Sequence, residues 1–87
     1  MAKKKPLLEQ MRANPRGDWT IDHIAKLCKE TGMELARPKR GSHFGVASDY
    51  LRDNQTVPCK RPIKPLYIKQ LVGYTDAHIE AGKQADE

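Results

Sequence analysis

The tripeptide Gly41-Ser42-His43 holds the residue best suited to proton chemistry. It follows the basic run Arg37-Pro38-Lys39-Arg40 and opens a stretch, Ser42 to Ser48, with the alternation of a strand. Neighbouring side chains of a strand point to opposite faces. Phe44 and Val46 therefore share one face, and His43, Gly45 and Ala47 the other. With Phe44 and Val46 turned toward a core, His43 points outward, over small neighbours and beside cations. An imidazole there can take up or release a proton near neutral pH. The surrounding cations suit a phosphate-bearing substrate. The same tripeptide also fits a surface histidine in a basic loop.

Other titratable residues offer less. His23 falls in the first turn of an expected helix, and His78 on the polar side of another. Cys28 lies on an apolar helical stripe and Cys59 ends an expected strand. Two cysteines without Cys-x-x-Cys spacing make neither a disulfide framework nor a zinc site. Asp49 and Asp53 suit a solvated loop and a turn, and no acidic cluster has metal-ligand spacing. No metal or other cofactor is expected.

A chain of 87 residues makes one small domain with a marginal core. It cannot hold a nucleotide-binding domain and a separate substrate domain. No apolar run approaches the ~20 residues that span a bilayer, and the basic start, Met1 to Lys5, leads into Pro6-Leu7-Leu8-Glu9 rather than an apolar signal core. The expected setting is therefore intracellular and cytoplasmic, with no membrane partner. From Arg37 to Lys64 stand seven basic residues (Arg37, Lys39, Arg40, Arg52, Lys60, Arg61, Lys64) against two acids, so the whole net charge of +5 lies there. A basic patch of this kind suits a polyanion, although a solvated surface has the same composition.

The elements that must position His43 are marked locally. Lys5 to Ala13 reads as a short helix, ended by Asn14-Pro15-Arg16-Gly17. Thr20 is a good N-cap for a second helix, with Asp22 in its first turn and Trp19 and Ile24 as a hydrophobic staple. Ile21, Ile24, Leu27 and Cys28 form its apolar stripe, Gly32 its left-handed stop, and Met33 folds back toward Cys28. Strands are expected over Met33 to Arg37, Ser42 to Ser48 and Gln55 to Cys59, the last either at an edge or ending at Pro58, which cannot donate to a ladder. A connector, Arg61-Pro62-Ile63-Lys64-Pro65, leads to a last helix with Ile68, Leu71, Val72, Thr75 and Ile79 inward and a weak point at Gly73. Residues 1–5 and 83–87 are expected as disordered tails around a domain of residues 6–82. The class is α+β: a three-stranded antiparallel sheet with helices on one face, and His43 on the open face.

Several of these segments together resemble a known family. Asn14-Pro15-Arg16, Trp19-Thr20-Ile21, Gly41-Ser42-His43, Thr56-Val57-Pro58 and Arg61-Pro62-Ile63-Lys64-Pro65 occur in the order seen in HicA-like toxins of toxin–antitoxin systems. The resemblance runs from about Leu7 to Ile79. It implies a fold like the double-stranded-RNA-binding domain, here with an extra N-terminal helix. It also implies an endoribonuclease that cuts mRNA and stops translation, partnered by a HicB-like antitoxin, with His43 as the catalytic residue. The chain departs from the pattern at two positions. Phe44 stands where many relatives carry a second histidine, and Lys60 where a histidine often precedes the Arg-Pro-Ile-Lys-Pro segment.

The residues support such chemistry without metal. A base removes the 2′-hydroxyl proton, the oxygen attacks the phosphate, and an acid protonates the leaving 5′-oxygen. Histidine suits either transfer, with a reference pKa of ~6.5. Lys39, Arg40, Lys60, Arg61 and Lys64 are candidates to hold phosphate and stabilise its developing charge, with Ser42 and the backbone at Gly41 to orient it. Tyr50, in the loop after the histidine strand, is the aromatic best placed to stack on a base, whereas Trp19 suits the staple. Two other readings fit the same residues: an RNA-binding module without catalysis, and a degenerate toxin that only binds its antitoxin.

Overall fold

The computed structural model describes residues 6–38, 41, 43–59 and 62–85. The order is α1 (Leu7–Ala13), α2 (Ile21–Thr31), β1 (Glu34–Ala36), β2 (His43–Ala47), β3 (Gln55–Pro58) and α3 (Pro65–Ala85). All six expected elements form, and the strands are shorter than their patterns allowed.

Each helix boundary has a local cause. Thr20 precedes α2 in extended conformation, and its N–H donates to His23 Nδ1 at 3.0 Å. His23 thus takes the place of the Glu or Gln of a capping box. Gly32 closes α2 with φ of 80°, and the N–H groups of Gly32 and Met33 both donate to the Cys28 carbonyl. Only a residue free of a Cβ adopts that conformation cheaply.

The strands form an antiparallel meander in the order β1-β2-β3. Leu35 pairs with Val46, and Phe44 with Val57. Paired residues share a face, so these four look toward the helices; Val46 and Val57 are fully buried there with Met11, Ile24, Leu27, Ile63, Ile68 and Leu71. Ile63 is a core residue supplied by the connector, whose N–H donates to the Trp19 carbonyl at 2.8 Å and pins the chain to the start of α2. Arg12 of α1 grips Asp76 of α3 with two hydrogen bonds of 2.6 and 2.7 Å. That pairing, led by the hydrogen bond, raises the guanidinium pKa above its ordinary value.

α3 runs past Gly82, where the sequence pattern ends the domain, to Ala85. Ala81, Lys83, Gln84 and Ala85 are good helix formers, and Tyr50 lies over Gly82. Gly73 sits within an unbroken helix. Residues 1–5, 86 and 87 fall outside the described chain. No described helix is long and apolar enough to cross a membrane.

Candidate functional site at the end of the sheet

His43 is the first residue of β2 and is exposed. The alternation that buries Val46 turns the imidazole to the open face, as the sequence pattern requires. Its partner across the ladder is Pro58, and the pairing ends there. Gly41 and Cys59, both just past this pair, lie at the same end of the sheet. So does the exit from β1 at Arg37, because Ala36 pairs with Gly45. Gly41 has φ of 80° and nothing within 4 Å of where a Cβ would stand. Its glycine serves the turn into β2 rather than close packing.

The hairpin register therefore brings Gly41 and Cys59 to one end of the sheet. Lys39, Arg40, Ser42, Lys60 and Arg61 themselves lie outside the described residues. Arg37 and Lys64 are exposed, and among the described residues neither makes an ion pair. Lys64 begins α3. Gln70 meets Gln55, Tyr74 bonds the Asp53 carbonyl, and His78 meets Ser48. α3 thus runs antiparallel to β3, and its start lies toward the His43 end.

Two expectations need correction. Tyr50 does not accompany His43: it follows β2 at the opposite end of the sheet and packs on α3, its ring 5.4 Å from that of His78. Arg52 lies in that same distant loop, so the basic window is divided between two ends. His78 is not on a polar face. It is 3% exposed, with Nε2 2.7 Å from the Thr31 carbonyl and Nδ1 bonded to the Ser48 hydroxyl. A carbonyl only accepts, so Nε2 carries the proton; in the neutral ring Nδ1 accepts from Ser48. The Ser48 oxygen in turn accepts the Tyr50 N–H at 3.1 Å. His78 thereby ties α2, the β2–β3 loop and α3 together. The signal was present: Ile68, Leu71, Thr75 and His78 repeat at alternating spacings of three and four along one helical stripe.

Of the three histidines, His43 alone is exposed and free of hydrogen bonds among the described residues. His23 is occupied by the α2 cap and stands edge-on to Trp19 at 5.1 Å. Trp19 is buried, and its indole N–H donates to the Asn14 carbonyl at 2.7 Å, which makes it a core residue as the staple implies. Among the described residues, no three His, Cys, Asp or Glu side chains gather as a metal-ligand set.

The chain matches no family model, no curated protein and no solved structure.

Proposed function

We propose that this chain is an endoribonuclease of the HicA-like toxin kind, cutting mRNA through His43 without metal and restrained by a HicB-like antitoxin. One observation carries the reading: an exposed imidazole, without a hydrogen bond among the described residues, at the sheet end where Arg37, Gly41 and Cys59 also lie. That is the setting a phosphodiester cleaving group needs, with a titratable nitrogen and cations supplied from two directions.

In the reaction, the 2′-oxygen loses its proton and bonds to phosphorus. The bond from phosphorus to the 5′-oxygen breaks, and that oxygen gains a proton. The products are a 2′,3′-cyclic phosphate and a 5′-hydroxyl. His43 performs one of the two proton transfers and water the other, since His23 and His78 are held by the fold. Arg37 and Lys64, with Lys39, Arg40, Lys60 and Arg61, stabilise the charge on the phosphoryl oxygens, while Gly41 and Ser42 orient the phosphate.

Purified protein incubated with RNA and excess chelator tests this. Cleavage with cyclic-phosphate ends is expected, and His43→Ala should slow it by ~10²–10⁴ while its melting temperature stays at the parent value. A folded His43→Ala protein that cuts at the parent rate removes the assignment. Loss of cleavage in chelator, restored by magnesium or manganese, removes the metal-free mechanism. Tight RNA binding with no cleavage would make the chain a binding module.

A further inference from the structure

Gly45 is glycine without a backbone or packing need for it. Positive φ occurs at Gly32 and Gly41 among the described residues, not at Gly45. The ladder runs through it unbroken on both sides, opposite Ala36 in β1 and Thr56 in β3, so no bulge is present. A Cβ placed there would meet only the Ala36 Cβ, at an ordinary 3.8 Å. Glycine weakens a strand, and inside one it marks a bulge, a bend or the close approach of a ligand. A bulge is absent, and among the described residues no other backbone comes within 4 Å of where a Cβ would stand.

Gly45 lies on the open face, two residues from His43. Directly across from it is Thr56, exposed, with no hydrogen bond from its hydroxyl among the described residues. His43 and Thr56 are diagonal neighbours on that face, a relation that spans ~7–8 Å. The strand residues on this face include no Phe, Tyr or Trp on which a base could stack, and Arg37 and Lys64, without ion pairs among the described residues, complement a polyanion at this end.

We propose that Gly45 and Thr56 complete the His43 site by holding the sugar–phosphate backbone of an RNA strand. Bare backbone at Gly45 is the floor that lets the phosphodiester sit close to the sheet. The Thr56 hydroxyl donates to a non-bridging phosphate oxygen, which sets the ribose against the imidazole. The assignment rests on the ribonuclease reading of His43 and adds the residues that position its substrate.

The test uses the full chain with Gly45→Ala, Gly45→Val, Thr56→Val and Thr56→Ser. Three quantities are read: melting temperature, affinity for a 2′-fluoro oligonucleotide that cannot be cut, and KM and kcat on unmodified RNA. Gly45→Ala should melt at or above the parent temperature, because its methyl fits and alanine suits a strand better. Its affinity should nevertheless fall at least tenfold, and that of Gly45→Val further. Thr56→Val should raise KM about tenfold and leave the pH profile of kcat at the parent's, while Thr56→Ser restores KM. Parental affinity and KM in both Gly45→Ala and Thr56→Val overturn the proposal. If the parent binds the oligonucleotide but cuts no RNA, the catalytic role of His43 fails while the loss of binding in these variants still supports the assignment. A parent that binds no RNA overturns both.

Discussion

Cys28 and Cys59 are the same side chain in opposite surroundings. Cys28 is 3% exposed on the inner stripe of α2, and Cys59 is exposed just past β3. Burial disfavours the charged thiolate and pushes the Cys28 thiol from 9.0 up to about 11. The folded chain therefore keeps a proton that the unfolded chain releases first. The stability linked to this proton is complete below the ordinary thiol range and is lost as pH climbs from 9.0 through about 11. A shift of that size corresponds to something on the order of 2 kcal/mol. Urea titrations at rising pH should show this loss, and Cys28→Ala should reduce it. Iodoacetamide at mildly alkaline pH should label Cys59 first and Cys28 only on unfolding. Equal alkaline loss in parent and Cys28→Ala would show that the buried thiol is not its source. The Cys28 environment was legible, because helical spacing alone places it beside Ile24 and Leu27. The placement of His78 was harder to read. Its polar chain neighbours imply solvent, whereas its partners, Thr31 and Ser48, come from distant parts of the sequence.

At the scale of elements, the caps were the clearest signals. Thr20 and Gly32 act within one turn of the backbone, so a few neighbouring residues specify both ends of α2. The far end of the sheet depends instead on His78. Substituting Phe fills the same space but leaves the part-buried Thr31 carbonyl and the buried Ser48 hydroxyl short of a partner. Each such group costs ~1–3 kcal/mol. His78→Phe should lose stability of that order in chemical denaturation, while the surviving folded fraction cuts RNA at the parent rate, since His43 lies at the other end of β2. An unchanged denaturation midpoint would mean that this link between α2, the loop and α3 contributes nothing. The length of α3 has a mixed origin. Its last residues favour helix on propensity, but Tyr50 seated over Gly82 adds a contact that no local pattern shows.

At the scale of the whole molecule, charge is brought together by topology. Arg37 at the exit from β1 and Lys64 ahead of α3 both lie toward the sheet end where His43 pairs with Pro58. Binding of RNA at that end should weaken with added salt as phosphate contacts release counterions. Lys60→Gln with Arg61→Gln should lower affinity and flatten the salt dependence by about two counterions, with a melting temperature close to the parent's. Lys69→Gln, on α3 away from the open face, is the matching control. Parental affinity and slope in the double variant would make the patch solvated surface.

By itself the sequence determined the six elements, the inward and outward faces of β2, and the candidacy of His43. These follow from alternation, helical spacing and caps, which act over a few residues. Tertiary structure alone decided that Gly45 and Thr56 stand beside the imidazole, that Arg52 and Tyr50 stand far from it, and that His23 and His78 are occupied. Such relations depend on strand register and on which surfaces bury one another. Both are settled by contacts between segments far apart in the chain, and no spacing within one segment encodes them.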